Sequence, residues 1–541
     1  MGRAGLAATS LSVVVTFAVA ILGPSVMEPA LPGRPGQPPW AFAAHLPAGL
    51  AVALTAAALA AGTLGLGLSL HAAHRGWLAP PRAILGAGIV TAVAMAFVPP
   101  FGSSDHLSYA AYGRIVVTGR NPYTTTPVML ARLGDPVARA VQDWRTSPSV
   151  YGSLATGGQA LASLVGGTSA RLTVFILSLL NVAAFVATGL LLHRLTRGSR
   201  ARQSRAAVAW TFNPLLLQVL VAGEHVDSQA ILFGVAAITL FSLGLPGDPS
   251  RATATRGFLV AAGAGGLAGL GTAVKLTMVL VAAGLAVAAA AAWWRRWRWL
   301  AVIGGGLATG FAVIVAASLA PWGFATLRPA LRAGSFVSIG SPWRLVRDGL
   351  QHGAGLAVGA ADDVVKAGAI VLAAVLLVLL LRWLRGPAGV GRAELGGTGP
   401  DRLGPAGTGM GLPGVAACCV FAFAFAWLVA WPYVLPWYDG LGWAVLALLP
   451  LSAASDAVVP VPNAAVPVPA STVAALDWLL LVRTAALAFG YLPARGIIMP
   501  ADLRWLQSVV RTGVTPVILL GVTVGLVVLV VRRAAERRLA S

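Results

Sequence analysis

The chain has 541 residues, of which 57% are hydrophobic and only 10% are charged, and its mean hydropathy is +0.82. A soluble protein of this length would carry about a quarter charged residues. The composition therefore excludes a water-soluble fold and predicts an integral membrane protein.

Apolar tracts of about 17 to 25 residues, long enough to cross a bilayer as helices, recur along the whole chain. We predict about fourteen of them, at 10–27, 48–70, 83–99, 170–193, 207–222, 227–245, 257–273, 276–292, 299–320, 365–382, 413–431, 439–455, 475–492 and 514–531. Gly265 and Gly269 form a small-xxx-small pair that would let one of these helices pack closely on a neighbour.

The net charge of +21 comes mainly from arginines at the ends of these tracts. The runs at 193–205, 295–298, 382–385 and 532–538 follow the fourth, eighth, tenth and fourteenth tracts, as the positive-inside rule predicts for cytoplasmic loops. No nucleic-acid partner is expected. Because successive tracts would cross the membrane in opposite directions, we predict that five segments lie outside, at 100–169, 223–228, 321–364, 432–438 and 492–513.

The sequence thus divides into five regions. They are N-terminal transmembrane helices (1–99), an external catalytic loop with interfacial helices (100–169), a central transmembrane core (170–385), a Gly/Pro-rich cytoplasmic linker (386–412) and C-terminal transmembrane helices (413–541).

Residues 102–127 read "GSSDHLSYAAYGRIVVTGRNPYTTTP". Two serines before Asp105 are typical of a helix start, and at 100° per residue Asp105, Tyr109 and Tyr112 share one face. The pattern predicts a helix along the membrane interface. In the alternative interpretation, the helix dipole favours an acid in the first turn and the tyrosines are headgroup anchors.

External arginines favour a chemical role for Asp105. Arg114 and Arg120 lie in a loop where the charge rule disfavours them, and guanidinium groups suit phosphate. An acid beside such cations is what a transferase that uses a lipid-phosphate donor needs. The acid takes the proton of an acceptor hydroxyl, and the cations hold the leaving phosphate.

Other predicted external segments carry further candidate substrate contacts. These are Tyr151, His225, Asp227, Lys275, Arg344, Trp437, Tyr438 and Asp439. Lys275 and Arg344 join Arg114 and Arg120 as candidates for binding the phosphate, and Trp437 could stack on a sugar ring. Ionisable groups between apolar spans are functional candidates by default, although a solvated hairpin, a snorkelling lysine and an aromatic belt would explain them structurally. His225 and Asp227 could bind a divalent cation, but two ligands make a weak metal site, and no cofactor is predicted.

The blocks "SSDHLSYAAYGRIVVTGRNPYTTTP", "SPSVYGSLA", "NPLLLQVLVAGEHVDSQA", "TAVKLT" and "LPWYDGLGWAVLALLP" together resemble the actinobacterial polyprenol-phosphomannose-dependent α-(1→6)-mannosyltransferases of the MptA/MptB type, with MptB the closer likeness. The resemblance implies a GT-C glycosyltransferase, a polytopic helical bundle whose active site faces away from the cytoplasm. It implies that the acid in the first large external loop, Asp105, is catalytic. His106 stands where a paired acid might be expected, and Asn121 and Tyr123 join the predicted substrate contacts.

The resemblance further implies inverting transfer of mannose from decaprenyl-phosphomannose to a lipid-anchored α-(1→6)-mannan, which forms the core of lipomannan and lipoarabinomannan, at the plasma membrane. A transporter or flippase for a lipid-linked or anionic solute is the main alternative. A transporter should show paired inverted halves, whereas this chain has one long charged loop without a counterpart in its second half. A scaffold in cell-wall assembly would tolerate any residue at 105.

Overall fold

The computed structural model describes residues 1–246, 253–385, 411–449, 470–493 and 499–540. These residues contain helices and loops and no strand. The predicted linker lies outside the described residues except for its last two positions.

The helices of the first half include four that lie within the predicted loop at 100–169. The first-half helices are α1 (Gly2–Leu22), α2 (Ala48–His74), α3 (Pro81–Met95), α4 (Asp105–Val117), α5 (Pro127–Arg132), α6 (Pro136–Arg139), α7 (Ser153–Gly166), α8 (Ala170–Leu195), α9 (Arg200–Ala206), α10 (Pro214–Leu216) and α11 (Asp227–Gly244). The second half contains α12 (Ala254–Val274), α13 (Val279–Trp293), α14 (Trp297–Leu319), α15 (Leu327–Ala333), α16 (Pro342–Asp348), α17 (Val358–Arg385), α18 (Leu412–Ala430), α19 (Asp439–Leu446), α20 (Ala470–Gly490) and α21 (Thr515–Ala540).

Twelve helical segments of the described residues are long and apolar enough to cross a membrane. They confirm the predicted all-α, multi-pass membrane fold. Two of the fourteen predicted tracts differ. The tract at 83–99 is α3, which has only 15 residues, and the tract at 439–455 begins as α19 and then leaves the described residues.

The segment Arg200–Ala222 is buried along nearly all of its length from Ser204 to Ala222, whereas Arg200 and Ala201 at its start are exposed. It is built from α9, a π-helix at Ala207–Thr211, α10 and a second π-helix at Leu217–Ala222. A helix that is apolar all round belongs inside a bundle, and π-helical turns often accompany functional sites. Here the second π-helix ends just before Glu224 and His225.

Contacts between chain segments show which helix ends lie together: Phe101 N–H donates to the Ala222 carbonyl, Gly152 N–H donates to the Val274 carbonyl, and the Trp437 ring packs against His225 and Tyr491. The segments that follow α3, Ala222, α12, α18 and α20 are therefore at one end. The predicted arginine runs at 193–205, 295–298, 382–385 and 532–538 are at the opposite end. This arrangement separates the polar candidates from the main arginine runs.

Glycines allow α12 and α14 to approach each other closely. A Cβ on Gly265 would lie 2.1 Å from the Leu307 carbonyl oxygen, and one on Gly310 would lie 1.8 Å from the Ala262 oxygen. Both distances are far inside van der Waals contact, so neither backbone can keep its position if a methyl group is added. The predicted role of Gly265 in close packing is confirmed.

We predict that Gly310→Ala destabilises the protein by about 1–3 kcal/mol, because the added methyl group must push α12 and α14 apart. Gly304→Ala on the same helix is the matched control, since a Cβ there meets open space. Thermal unfolding in detergent should show a lower midpoint for Gly310→Ala and an unchanged or higher one for Gly304→Ala. Equal midpoints for the two variants would contradict this packing argument.

Candidate active site

Helix α4 carries Asp105 as its first residue, as the sequence predicts. The Asp105 backbone N–H donates to Ser103 Oγ over 3.1 Å. Gly113 lets α4 lie directly on α7, because a Cβ there would be 2.0 Å from the Gln159 carbonyl oxygen. Nearly the whole helix is buried. Its amphipathic pattern therefore does not mark a membrane-facing surface, and α4 is enclosed by protein.

The Asp105 carboxylate faces the side chain of His225, which comes from the connection between Ala222 and α11. The distance from Asp105 Oδ2 to His225 Nδ1 is 3.7 Å. The Tyr109 hydroxyl lies 3.5 Å from the same nitrogen, and the Tyr151 hydroxyl donates to Tyr109 Oη over 3.2 Å. These contacts join three separate loop segments around one carboxylate.

Trp437 connects this group to a buried ion pair. Its indole stacks on the His225 ring with centroids 3.5 Å apart, and the next residue, Tyr438, places its ring 3.9 Å from Lys275 Nζ. Lys275 Nζ in turn lies 2.6 Å from Asp227 Oδ1, and both side chains are largely buried. The lysine is held where it is because Gly152 N–H donates to the Val274 carbonyl, next to it in the chain.

Eight of the predicted site residues thus form one connected network, which we call the polar cluster. Its members are Asp105, Tyr109, Tyr151, His225, Asp227, Lys275, Trp437 and Tyr438. They come from five segments of the chain, all at the same end of the bundle. Such a convergence of ionisable and aromatic groups in a buried environment is typical of a functional site.

Burial raises the pKa of Asp105 to about 7, with a further upward contribution from the negative charge of Asp143. The positive charge of Lys275 and a hydrogen bond from the Trp144 indole act in the opposite direction. The pKa of His225 is lowered well below its usual value by burial and then by Lys275 and His106. At neutral pH the cluster therefore combines a neutral imidazole with a carboxyl group close to half ionised.

Sequence reasoning missed Asp143 and Trp144. Asp143 Oδ2 accepts from Ser104 Oγ over 2.5 Å, and its backbone oxygen accepts from Ser108 Oγ over 3.4 Å. The dipeptide is therefore fixed to the first turn of α4 on both sides of Asp105. No local motif around Asp143 marks this contact, although an acid followed by tryptophan in the same predicted external loop was a usable signal.

The structure does not bring the three predicted phosphate-binding arginines into the polar cluster. Arg114 Nε donates to Asp135 Oδ2 over 2.7 Å, where Asp135 also caps α6. Arg120 donates to the carbonyl of Thr118, and Arg344 pairs with Asp348 on its own helix at 2.9 Å. Their role toward phosphate stays a prediction.

Four other predicted contacts support the walls of the site. His106 is fully buried. Asn121 Oδ1 accepts from the Tyr123 backbone N–H, and the Tyr123 hydroxyl meets Thr156 at 3.0 Å. Asp439 accepts from Arg483 at 3.0 Å and from Thr484 at 2.8 Å, which anchors α19 to α20 behind Tyr438.

A cleft reaches the polar cluster from the side of the loop between α1 and α2. It is lined by Met27, Gly102, His225, Trp437 and Tyr491, among others. The described residues contain no group of three or more His, Cys, Asp or Glu side chains that could hold a metal ion. Asp227, one of the two predicted cation ligands, is instead paired with Lys275.

Comparison with known proteins agrees with the resemblance in the motifs. The sequence model of the family described as "Alpha-(1->6)-mannopyranosyltransferase, N-terminal domain" matches residues 3–318. The chain belongs to this family. The matched region contains the helices and loops that carry Asp105, Tyr109, Tyr151, His225, Asp227 and Lys275, while Trp437 and Tyr438 lie beyond it.

Curated relatives match shorter stretches. Alpha-(1->6)-mannopyranosyltransferase B of Corynebacterium glutamicum is 30% identical over 27% of this chain and 24% of its own length. A probable alpha-(1->6)-mannopyranosyltransferase of Mycolicibacterium smegmatis is 29% identical over 26% of this chain and 25% of its own. Alpha-(1->6)-mannopyranosyltransferase A of C. glutamicum is 24% identical over 27% of this chain and 29% of its own length. The matches span about a quarter of each relative, and no solved structure matches the chain.

We predict that Lys275→Met and Asp227→Asn each destabilise the protein by about 3–5 kcal/mol, because each leaves one buried partner of the ion pair without its counterpart. The double variant Lys275→Met/Asp227→Asn should recover most of that loss, since it removes both charges. A double-mutant cycle on thermal unfolding measures the coupling. Additive losses in the double variant would show that the two side chains do not depend on each other.

Proposed function

We propose that this protein is a membrane glycosyltransferase that moves mannose from a polyprenyl-phosphomannose donor to an α-(1→6)-mannan acceptor. The observation that carries the proposal is the polar cluster, in which a buried carboxylate, an imidazole and a lysine lie within one network of aromatic rings. Membership of the α-(1→6)-mannopyranosyltransferase family and the names of the curated relatives support the sugar and the linkage. A lipid-anchored mannan, as in lipomannan and lipoarabinomannan, is the proposed acceptor.

In this proposal Asp105 is the general base. The acceptor hydroxyl oxygen bonds to the anomeric carbon of mannose while the bond from that carbon to the phosphate oxygen breaks. The hydroxyl proton passes to Asp105, and polyprenyl phosphate leaves with the bonding electrons. A single displacement inverts the anomeric centre, and one base is sufficient because phosphate leaves without a proton. The pKa of Asp105, about 7, suits a base that works at neutral pH.

Lys275 is the proposed cation for the leaving phosphate. Its ammonium group is buried between Asp227 and the Tyr438 ring, and a buried cation interacts more strongly with an anion than an exposed one does. It also lies close enough to Asp105 for the lysine charge to lower the pKa of that carboxyl. Base and cation are therefore near enough to act on one sugar.

We place the reaction on the extracytoplasmic face of the plasma membrane. Support comes from the charge distribution, because the arginine runs lie at the helix ends opposite the polar cluster and positive runs favour the cytoplasm. A lipid donor carries its sugar at the membrane surface, which suits a site built from helix ends. The donor, the acceptor and a bilayer are then the partners of this chain, without a nucleic acid.

We predict that Asp105→Asn lowers mannose transfer by about 10²- to 10⁴-fold, because the amide cannot accept the acceptor proton. Donor binding should stay within about twofold of the parent protein, since the substitution keeps the shape of the side chain. Purified protein with radiolabelled polyprenyl-phosphomannose and short α-(1→6)-mannosides provides the rate and the linkage. Asp363→Asn, an exposed acid on α17, is the control, and undiminished turnover of Asp105→Asn would remove Asp105 from the mechanism.

The pH dependence of kcat/KM should follow the ionisation of Asp105. The base must be ionised, so activity should rise as pH increases through about 7 and level off above it. Asp143→Asn should move this rise to lower pH, because the negative charge of Asp143 raises the pKa of Asp105. A profile that falls across this range, or one that Asp143→Asn leaves in place, would contradict the assignment.

A further inference from the structure

Trp144 lies at the outer edge of the polar cluster, and 43% of its surface is exposed. Its backbone adopts φ +61°, a left-handed conformation that is uncommon for a residue other than glycine. The contacts of Asp143 with Ser104 and Ser108 hold this conformation in place. A large aromatic side chain is therefore kept at a fixed position in the mouth of the site.

The two ends of the Trp144 ring have different partners. Its indole N–H lies close enough to the Asp105 carboxyl to lower the pKa of that group, and its ring is nearly parallel to that of Phe336, with an interplanar angle of 8° and centroids 6.5 Å apart. Phe336 is 38% exposed. A tryptophan side chain can pack the face of its ring on an apolar surface while its N–H contacts a polar group.

Aromatic rings continue inward from this surface. Phe336 meets Tyr433 edge to face at 6.0 Å, and Tyr433 meets Tyr438 at 6.1 Å. Tyr438 covers the Lys275 ammonium group. The row of rings thus runs from solvent to the cation, while the Trp144 indole leads to the carboxylate. The outer end is aromatic and the inner end is cationic.

Trp437, the residue predicted from sequence to stack on a sugar, is not available for that role. It is 3% exposed, and the His225 ring already covers one of its faces. Trp144 and Phe336 are the members of the aromatic row with substantial exposed surface.

We propose that Trp144 and Phe336 form the acceptor subsite, where Trp144 stacks on the pyranose ring that receives the new linkage and positions Asp105 through its indole N–H. The inference rests on the proposed function and adds the place of its acceptor. A pyranose presents a flat face of C–H groups to an aromatic ring and hydroxyl groups at its rim, which fits this surface. The donor phosphate belongs at the Lys275 end, so the outer aromatic end is left for the neutral acceptor.

The test separates acceptor binding from donor binding and from the state of Asp105. Trp144→Leu should raise the KM for α-(1→6)-mannotetraose by about tenfold, because the stacking surface is lost, while the KM for polyprenyl-phosphomannose stays within about twofold. Trp144→Phe keeps a ring and should leave the acceptor KM within about threefold. It should move the rise of kcat/KM to higher pH, because the hydrogen bond that lowers the pKa of Asp105 is gone.

That pH shift depends on the other groups around Asp105, which stay unchanged in Trp144→Phe. The charged or ionisable ones are Asp143, His225, Asp227 and Lys275, and the tyrosines are Tyr109, Tyr112, Tyr151, Tyr433, Tyr438 and Tyr491.

Trp40 provides a matched control. It is 50% exposed, stacks on Phe97 at an interplanar angle of 11°, and donates its indole N–H to the Gly36 carbonyl. Trp40→Leu and Trp40→Phe should change neither the acceptor KM nor the pH profile. Phe336→Leu gives a second variant of the same surface if Trp144→Leu does not fold, and it should raise the acceptor KM in the same way.

The outcomes distinguish this inference from the proposed function. Equal changes in the acceptor and donor KM values, or an unchanged acceptor KM in both Trp144→Leu and Phe336→Leu, would overturn the subsite while transfer by the parent protein would still support the function. If the parent protein transfers no mannose, the proposed function fails. Titration with α-(1→6)-mannotetraose then tests the subsite alone, with binding weakened about tenfold in Trp144→Leu as the supporting result and unchanged binding as the contrary one.

Discussion

The ion pair between Lys275 and Asp227 is the interaction on which the rest of the site depends. Removing two charges from water is costly, and the cost is offset only where the geometry is close and the neighbouring groups complete the network. Here Nζ and Oδ1 are 2.6 Å apart, and the Tyr438 ring covers the ammonium group. The pair connects α11 to the end of α12 and so fixes the lysine beside the loop that carries Asp105. Without it, the ammonium group would lose the carboxylate that holds it beside the Tyr438 ring.

Burial then gives the remaining groups their chemistry. The same low-dielectric surroundings that strengthen the ion pair raise the pKa of Asp105 to about 7 and keep His225 neutral. The rings of Trp437 and Tyr438 pack between His225 and Lys275, while Trp144 at the other side is partly exposed. The site therefore has a closed cationic end and an open aromatic end. In the proposed reaction, the donor phosphate lies at the cationic end and the acceptor sugar at the aromatic end.

Much of this arrangement could be predicted from the sequence, and the failures have physical reasons. The lengths of the apolar tracts predicted the spans, and the structure confirms that a helix starts at Asp105. Both features could be predicted because their signals are local in the sequence. Ionisable residues between apolar spans indicated His225, Asp227 and Lys275, because buried charge is rare without a function. Arg114 and Arg344 pair with Asp135 and Asp348. The prediction of phosphate binding considered the positions of the arginines and not these acidic partners. The contact of Asp143 and Trp144 with α4 is tertiary, and Trp437 is covered by a ring 212 positions away in the chain (437 − 225).

The most direct test is a structure of the Asp105→Asn protein in a lipid nanodisc with polyprenyl-phosphomannose and an α-(1→6)-mannoside bound. We expect the acceptor 6-hydroxyl within hydrogen-bonding distance of the residue 105 side chain, with the donor phosphate nearest Lys275. Density for the mannosyl group at the other end of the bundle, beside the arginine runs, would rule out the polar cluster as the active site.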